Sequence, residues 1–582
     1  MLPPPGSICK AFQEAYTYGI VPKPNFALAS ISIRNFRGVQ DLDLNLDAAA
    51  PTILIGPNNA GKSTVLDAFG LVLGAPKFAK FMPCEEDLWR PMTGTPATEF
   101  EILVKFEPRA GGTLPAVKGG LGDPVDVTGI LCTGSAEGGL SRVLVGDDGK
   151  PILLLAGTPI SKAKQSTYQG FGLNSRRYAR PSSIQQWMPL TWYLESKTLS
   201  QSLYDWRSGP LQQLLKQYRE DLLTSKWKTA SGRDMPDALQ KAHDFVLNQA
   251  LPTPFWKDKL SKTMVSRFQA YLGRHSGVTM EPSLNPIEEW IASEFRMLVS
   301  SNPNAAPVEA RRMGDGWQNL LRLAAIETVA DLAIEERSAT VLLEEPETYL
   351  HPHLRRRLRR SLEALQARGY QVIAATHAPE MISFRERQKV IRLGMTAAGA
   401  VSHEYATVSA SAALQQQEKL SERGNHEMVF ANLAVLAEGK DDVFALRMGM
   451  DKLGIDCDAE SISVVDCGSV GNLPDYAEVC GSLGIPWVAV HDEDVVLSTG
   501  AQKPNTAVAV GKLLSTRGAS DTILSWDNDL EEVLGCAAGK AKPEWIETTH
   551  GGKTWAALLS DPTLAKYCSV VAAIELHMNT VL

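Results

Sequence analysis

The sequence predicts an α/β protein with two parallel-sheet units, the first of which is interrupted by a helical insertion. A short apolar strand runs into a glycine-rich loop and a helix near residue 56, and two further apolar strands follow near residues 341 and 373. After Val429, short apolar strands again alternate with helices. Such alternation is typical of parallel sheets, and 582 residues are too many for one core.

The composition is typical of a globular protein, with 44% hydrophobic and 21% charged residues. No stretch approaches the roughly 20 apolar residues that cross a bilayer, and the N-terminus lacks the pattern of a signal peptide. We therefore expect a cytoplasmic protein without a membrane partner. The eight cysteines contain no CxxC pair, which argues against a zinc ribbon and a disulfide framework.

Charge is unevenly distributed along the chain. The net charge of -8 argues against a protein that coats nucleic acid indiscriminately. Between Lys197 and Arg274, however, 13 Lys and Arg face 7 Asp and Glu. This segment is the candidate nucleic-acid surface.

The front of the chain predicts a strand pair over residues 27–47, followed by a phosphate-binding loop. The strand PTILI enters GPNNAGKST, which fulfils G-x-x-x-x-G-K-[ST] between a strand and a helix. Backbone N–H groups would hold the phosphates of ATP, Lys62 would reach the β- and γ-phosphates, and the Ser63 hydroxyl would bind Mg²⁺. The alternative is a chance glycine-rich turn. The nucleotide-binding candidates are Gly56, Asn58, Asn59, Gly61, Lys62, Ser63 and Thr64.

A later strand, TVLLEEPETYLHP, ends in two acids that suit the same site. Glu344 stands where Asp is usual, and its longer side chain would reach the ion at the ATP site through water. Glu345 is the candidate general base for the attacking water. Both acids could instead be a solvated strand end.

Two further segments fit a nucleotide site. His377, in ATHAP after the next buried strand, fits a γ-phosphate sensor, although a histidine at a strand end is often structural. GDGWQ precedes a helix and looks like a reduced ABC signature, which contacts ATP bound to the opposite subunit. Its candidates are Gly314, Gly316 and Gln318, and the alternative is an ordinary glycine turn. Together these motifs predict an ABC-type P-loop ATPase head.

Acidic side chains also follow the strands of the second unit. Glu438 ends an apolar strand before a helix, and Asp442 lies one turn later. Asp492 and Asp494 end a strand further along. Parallel strands bring their carboxyl ends to one sheet edge, so these acids should converge there. Clustered carboxylates suit Mg²⁺ or Mn²⁺, and two ions about 4 Å apart would serve phosphodiester hydrolysis.

The order of these motifs resembles the OLD (overcoming lysogenization defect) family of ATPase-nucleases, which includes the nuclease subunit of the Gabija antiphage system. RecF-like and SMC-like ATPases share only the front half. The resemblance implies an ABC-type head followed by a C-terminal Toprim α/β nuclease domain. The segments that carry it are ISIRNFRGV, GPNNAGKST, GDGWQ, LLEEPETYLHP, ATHAP, AEGKDD and HDED.

The resemblance assigns catalysis and metal binding to Glu438, Asp442, Asp492 and Asp494. It suggests Glu531 as a further metal ligand, with a surface acid as the alternative. It also suggests that Lys553 stabilises the transition-state charge, with a solvated lysine as the alternative. The turn residues Gly468 and Asn472 would shape the site, and the polar His491 departs from the apolar residue that is usual at its position in the family.

Lys62 and Glu344 are 282 positions apart, more than a compact head requires. In the resembling family the intervening insertion is helical and dimerises the protein; a lid without a partner is the alternative. We expect the ATPase head to comprise residues 1–160 and 306–425, the insertion 161–305 and the Toprim domain 426–582.

The sequence thus predicts an ATP-binding, metal-dependent DNA endonuclease with one Mg²⁺ or Mn²⁺ ion at the ATP site and two at the Toprim site. By family analogy it would act in antiphage defence, as a homodimer or higher oligomer, with a helicase or another defence protein as a possible partner. A RecF-like DNA-binding scaffold is the alternative. A topoisomerase- or primase-like enzyme is disfavoured, because Tyr349 and Tyr476 lie in motifs that explain them otherwise.

Overall fold

A computed structural model of the chain divides into two compact units, Met1–Tyr193 with Arg337–Leu582, and Leu194–Glu336. Nearly all of the basic segment Lys197–Arg274 and most of the predicted insertion lie outside the described residues. The structure describes residues 25–57, 59–91, 94–118, 124–152, 178–184, 188–195, 241–242, 244–245, 298–299, 308–309, 312, 314–316, 318, 324, 339–382, 388–395, 401–406, 425–496, 501–527, 529–536 and 542–581.

The head of the first unit, residues 25–193 and 339–406, contains an antiparallel sheet of order β2-β1-β4-β7-β8. Its strands alternate buried and exposed residues, as one covered face requires; Ile31 and Ile33 are buried, whereas Arg34 pairs with Asp43 at 2.8 Å. The strands are β1 (Phe26–Phe36), β2 (Val39–Asn45), β4 (Phe100–Pro108), β7 (Gly129–Ser135) and β8 (Gly139–Val145). A separate hairpin pairs β5 (Ala116–Lys118) with β6 (Pro124–Asp126).

The second sheet of the head has the order β15-β14-β3-β13-β12-β9. The four strands β14, β3, β13 and β12 are parallel, so their carboxyl ends share one edge. These strands are short and almost wholly buried, which explains why their sequences are nearly continuous runs of apolar residues. The strands are β3 (Thr52–Ile55), β9 (Leu190–Leu194), β12 (Ala339–Glu344), β13 (Gln371–Ala375), β14 (Lys389–Met395) and β15 (Val401–Ala406).

Two helices belong to this sheet. Helix α1 (Lys62–Leu73) begins after Gly61 and ends at Gly74, both with left-handed backbone. It is buried between the two sheets, where its Phe69 joins the same core as Phe36 and Phe100. Helix α2 (Pro352–Ala367) buries Leu358, Leu362 and Leu365 and is polar elsewhere.

The C-terminal domain, residues 425–581, has a wholly parallel sheet of order β17-β16-β18-β21. Trp526 and Tyr567 are fully buried and stack in its core. Its strands are β16 (Leu433–Ala437), β17 (Ile462–Asp466), β18 (Trp487–Asp492) and β21 (Thr522–Trp526), with a small hairpin of β19 (Val495–Val496) and β20 (Ala501–Gln502). Its helices are α3 (Lys440–Leu453), α4 (Leu473–Ser482), α5 (Pro504–Thr516), α6 (Leu530–Val533), α7 (Pro543–Ile546), α8 (Trp555–Leu559) and α9 (Ala565–Val581).

In the second unit, β10 (Leu298–Val299) pairs with β11 (Val308–Glu309). Among the described residues, no helix is long and apolar enough to cross a membrane. In the segment predicted as the insertion, β9 is an edge strand of the head sheet. The boundaries drawn from the sequence remain predictions.

The loop after β3 is fixed by one close backbone contact. Gly56 has a φ of 135°, and a Cβ atom there would lie 2.1 Å from the carbonyl oxygen of Leu393 in β14. A side chain at this position would therefore force β3 and β14 apart. The glycine is required by close packing as well as by its backbone conformation.

We expect Gly56→Ala to lower the free energy of unfolding by about 2 to 5 kcal/mol, because it adds overpacking to left-handed strain. It should also weaken nucleotide binding, since the loop must move. Gly149→Ala is the matched control: Gly149 has a φ of 72° with nothing within 4 Å of its Cβ position, so it should lose only about 1 to 2 kcal/mol. Denaturant unfolding measures both; equal losses would contradict the packing argument.

Candidate functional sites

The carboxyl edge of the head sheet contains a pocket of about 430 Å³. It brings together residues that the sequence places far apart: the loop after β3, the start of α1, the end of β12 and the segment after β13. Asn58 lies outside the described residues. The pocket is lined by Gly38, Asn59, Gly61, Lys62, Ser63, Thr64, Glu344, Glu345, Ala375 and His377.

Lys62 is held inside the loop that it follows. Its Nζ donates to the carbonyl oxygens of Gly56 at 2.8 Å and Pro57 at 2.7 Å. Burial lowers the pKa of Lys62 to about 8, although Glu345 opposes the shift. Phosphate oxygens would replace these carbonyls as better partners for a buried ammonium.

Glu345 and His377 face each other across the strand ends. Glu345 has a φ of 45° and donates its backbone N–H to the carbonyl of Ala375 at 2.9 Å, which ties the end of β12 to that of β13. Its Oε1 lies 3.7 Å from His377 Nε2. Partial burial and the nearby Lys62 lower the pKa of His377, which favours a neutral ring. A neutral histidine can orient water or a phosphate oxygen by hydrogen bonding.

Glu347 is a site-supporting residue that the sequence analysis did not single out, although it is the third acid of LLEEPE. It is buried, and its Oε1 accepts from Thr376 Oγ1 at 2.5 Å and from the His377 backbone N–H at 3.0 Å. Burial raises the pKa of Glu347 despite these hydrogen bonds. Glu347 thus holds the segment that carries His377.

The GDGWQ segment lies in the second unit. The Gln318 backbone N–H donates to the Gly314 carbonyl at 3.2 Å, as at the start of a helix, and Gly316 is part of that turn. Gln318 is buried, whereas Gly314 is exposed. Contact of this segment with ATP on another subunit stays a prediction.

The second group of acids lies at the carboxyl edge of the C-terminal sheet. Glu438 follows β16, and its two carboxylate oxygens accept backbone N–H groups from Val470 at 3.0 Å and Asp492 at 3.1 Å. One side chain therefore connects the ends of β16 and β18 with the turn after β17. This confirms the expected convergence of Glu438 and Asp492 at one edge.

Asp442 is fixed by donors on two sides. Its Oδ2 accepts from the Gly439 backbone N–H at 3.1 Å, which caps helix α3, and its Oδ1 accepts from Trp526 Nε1 at 2.8 Å. Burial raises the pKa of Asp442 to about 6; the Trp526 hydrogen bond opposes this and Glu438 adds to it. No sequence motif points to Trp526, since this residue reaches Asp442 only through the order of the strands in the sheet.

Asp492 is the least compensated acid of the group. Its Oδ1 is buried and has no hydrogen-bond partner among the described residues. Burial, followed by the charges of Asp442, Glu438, Asp494 and Asp529, raises the pKa of Asp492 to about 8. A cation bound beside this oxygen would stabilise the ionised form of Asp492.

Asp494 is neutralised by another segment. Its Oδ1 lies 2.6 Å from Lys503 Nζ, and its Oδ2 accepts from Thr506 Oγ1 at 2.8 Å. Although burial opposes it, these bonds lower the pKa of Asp494. Lys503 and Thr506 were missed in the sequence because the β19–β20 hairpin brings them back to the site.

No group of three or more His, Cys, Asp or Glu side chains within the described residues is arranged to hold a metal ion. Protein donors contact the carboxylate oxygens of Glu438, Asp442 and Asp494. The chemistry nevertheless fits a divalent cation: the donors are hard carboxylate oxygens, and the free buried oxygen of Asp492 lacks a positive partner.

Comparisons with known proteins agree with this arrangement. Residues 429–494 match the TOPRIM domain of the overcoming lysogenization defect protein-like family, residues 27–128 match an AAA ATPase domain, and residues 230–383 match the AAA domain family described for the AbiEii toxin, Type IV TA system. Over 483 residues the chain is 27% identical to the OLD nuclease of Thermus scotoductus, an alignment that covers 80% of this chain and 82% of that protein. The chain is therefore similar to OLD nucleases over most of its length.

A second OLD-family relative is the Old nuclease of Escherichia phage P2, which is 26% identical over 194 residues, 31% of this chain and 33% of that protein. Among solved structures, the SMC head domain from Thermotoga maritima is 13% identical with a TM-score of 0.27 and covers 66% of this chain and 99% of its own. The Smc head of Pyrococcus furiosus bound to ScpA is 14% identical with a TM-score of 0.34 and covers 69% of this chain and 100% of its own. At these TM-scores neither likeness bears on the fold, which follows from the chain's own sheets.

The predicted α/β fold class is confirmed: a P-loop ATPase head, which matches an AAA ATPase domain, precedes a C-terminal Toprim domain. An ATPase domain and a Toprim domain use a nucleotide and a divalent metal, respectively. Gly468, with a φ of 80°, and Asn472, whose Nδ2 donates to the Cys467 carbonyl at 2.7 Å, form the turn that supplies the Val470 N–H to Glu438. His491 is buried, and its Nδ1 contacts the Asp492 carbonyl at 2.7 Å.

Two further residues named by the resemblance lie in the last part of the C-terminal domain. Lys553 Nζ lies 3.5 Å from Asp561, and Glu531 lies in the short helix α6. Their roles stay predictions. Asp529, two positions before Glu531, is the α6 acid whose charge acts on Asp492, although its Oδ1 also accepts from the Glu532 N–H at 2.9 Å.

At the ATPase site, we expect Lys62→Ala to abolish ATP binding, because Lys62 is the only Lys or Arg among the described residues that line the pocket. Glu345→Gln should retain binding and slow hydrolysis by roughly 10²- to 10⁴-fold, the contribution of a general base. Equilibrium nucleotide binding and single-turnover hydrolysis separate the two effects. Tight binding by Lys62→Ala, or unchanged hydrolysis by Glu345→Gln, would contradict the assignment.

At the Toprim edge, we expect Asp492→Asn to raise the free energy of unfolding in EDTA by about 1 to 3 kcal/mol, because a neutral amide avoids the cost of protonating the Asp492 carboxyl, or of burying its charge, next to Asp442. The same variant should lose the stabilisation that Mg²⁺ or Mn²⁺ gives the wild type. Asp451→Asn, an exposed position on α3, is the control and should change neither quantity. Thermal unfolding with and without metal measures both; a metal-induced shift that persists in Asp492→Asn would refute the prediction.

Proposed function

We propose that this protein is an ATP-binding, divalent-metal-dependent DNA endonuclease. The observation that carries the proposal is the buried, partnerless oxygen of Asp492 at a sheet edge shared with Glu438 and Asp442. An edge of this kind binds cations. The named OLD nucleases of Thermus scotoductus and phage P2 support a nuclease as the activity.

At the nuclease site, Glu438, Asp442, Asp492 and Asp494 would hold two Mg²⁺ or Mn²⁺ ions. When bound, such ions activate water and stabilise the leaving oxygen of a phosphodiester. The chain itself positions the carboxylates: backbone N–H groups orient Glu438, and Trp526 with Gly439 orients Asp442. Lys503 neutralises Asp494 until another cation replaces it. Glu531 as a ligand and Lys553 as a stabiliser of developing charge belong to the same proposal.

At the ATPase site, Gly56, Asn58, Asn59, Gly61, Lys62 and Thr64 would hold the nucleotide, while Ser63 and Glu344 would hold one Mg²⁺ or Mn²⁺ ion. Glu345 accepts a proton from the attacking water, and His377 reports the γ-phosphate. Gly314, Gly316 and Gln318 would contact ATP bound to a second subunit. ATP then controls access to the nuclease and does not drive the cutting step.

We also propose a homodimer or higher oligomer, formed through the insertion predicted between residues 161 and 305. The GDGWQ segment supports this assembly, because an ABC-type signature contacts ATP bound to the opposite subunit. A role in antiphage defence, with a helicase or another defence protein as partner, rests on the resemblance to the Gabija nuclease subunit. The head, insertion and Toprim boundaries at residues 160, 305 and 425 belong to this proposal.

One observation favours a second candidate, a RecF-like DNA-binding ATPase scaffold without nuclease activity. Within the described residues, protein donors occupy the oxygens of Glu438, Asp442 and Asp494, and no ready-made metal group is present. In that case the acids would serve the fold. The free oxygen of Asp492 lies near the charges of Asp442, Glu438 and Asp494, and this clustering favours the nuclease, because it destabilises the fold unless a cation is bound.

Plasmid cleavage decides between the two. We expect the wild type to nick or cut supercoiled plasmid with Mg²⁺ or Mn²⁺, and Asp492→Ala/Asp494→Ala to lose this activity because both lost carboxylates face the ions. The control Asp451→Ala/Asp458→Ala removes two exposed acids of the same domain and should cut like the wild type. Equal traces of nicking from the wild type and the Asp492/Asp494 variant would favour the scaffold.

A further inference from the structure

We propose that the exposed arginines of helix α2 contact the phosphate backbone of duplex DNA. We call Arg356, Arg357 and Arg360 the arginine face. All three are exposed, and they lie within two turns of the helix that follows the loop carrying Glu345. The proposal rests on the proposed function, since it names the surface by which the nuclease would hold its substrate.

The helix uses its other arginines for the fold. Arg355 donates from Nε to the Leu350 carbonyl at 2.8 Å, and Arg359 donates from Nη1 to the Ile382 carbonyl at 3.0 Å. These two side chains hold the segments that contain Leu350 and Ile382 against α2. The arginine face points away from the buried leucines. Among the described residues its hydrogen bonds stay within α2; Arg360, for example, donates from Nε to the Arg356 carbonyl at 3.4 Å.

Within the described residues, no carboxylate neutralises the arginine face. Glu363, the only acid of α2, lies 3.7 Å from Arg359 and accepts from Gln388 at 2.9 Å. Arg356 Nη2 lies 2.7 Å from His353 Nδ1, and the guanidinium donates to this ring nitrogen when the ring is neutral. Three guanidinium charges therefore remain together on a chain whose net charge is -8.

The chemistry of the face selects phosphates. A guanidinium pairs with phosphate oxygens in a planar, two-bond geometry, and it is more weakly hydrated than an ammonium. The three positions span about 6 Å of helix axis, and each DNA strand presents one phosphate about every 3.4 Å along the duplex. The face would therefore meet two or three neighbouring phosphates.

Other occupants fit less well. A second copy docking on the same face by two-fold symmetry would bring like charges together. A membrane surface would require large apolar side chains beside the basic ones. The exposed uncharged residues of α2 are instead small or polar: Pro352, His353, Ala364 and Ala367. DNA needs only the charge and the spacing.

The test is a triple variant, Arg356→Glu, Arg357→Glu and Arg360→Glu, in the full chain. The matched control, Lys80→Glu, Lys105→Glu and Lys150→Glu, makes the same change in net charge at exposed positions of the antiparallel part of the head. Binding of a labelled short duplex is measured in EDTA, which prevents cutting, over a series of salt concentrations. ATP binding by each variant verifies that the head is folded.

We expect the arginine variant to bind DNA at least about 10-fold more weakly. The slope of log K against log salt concentration should become shallower by about two to three, because each lost phosphate contact contributes about 0.9. The control should change affinity far less. Equal losses in both variants, or unchanged binding in the arginine variant, would overturn the proposal.

The plasmid assay keeps this proposal separate from the proposed function. If the wild type cuts DNA and the arginine variant binds and cuts equally well, the surface is wrong and the nuclease stands. If the wild type never cuts but the arginine variant alone loses DNA binding, the surface is right and the scaffold reading replaces the nuclease.

Discussion

The contact between Gly56 and the Leu393 carbonyl is the constraint on which both sites depend. It fixes the phosphate loop against β14. The residue before Leu393 is Arg392, whose Nη2 donates at 2.9 Å to the carbonyl of Ala431, just ahead of the strand that ends at Glu438. One packed strand therefore contacts both the nucleotide loop and the segment that leads into the Toprim sheet.

Like charges impose the second constraint. Three carboxylates at one edge repel each other, and the domain offsets this with different donors for each: backbone N–H groups for Glu438, an indole for Asp442 and an ammonium for Asp494. Asp492 is left with a free buried oxygen. The fold thus tolerates a local cost at the position where a cation would be most strongly stabilised, as expected of a site selected for binding over stability.

Sequence reasoning predicted what depends on motifs and strand ends, and missed what depends on tertiary neighbours. The phosphate loop, Glu345, His377 and the edge shared by Glu438 and Asp492 follow from the rule that parallel strands deliver their carboxyl ends together. Trp526 could not be assigned because its role depends on β21 lying beside β18. Lys503 could not be assigned either, since only the β19–β20 hairpin returns it to Asp494.

The two sites have opposite charge and must handle the same kind of anion. The nucleotide pocket offers a buried ammonium and a helix N-terminus, so it attracts phosphate directly. The Toprim edge presents carboxylates, which repel a phosphodiester. DNA therefore cannot be held at that edge by the side chains that would cut it, and the binding energy must come from cationic surfaces elsewhere on the chain. A net negative protein that acts on DNA has to concentrate its positive charge, as the arginines of α2 do.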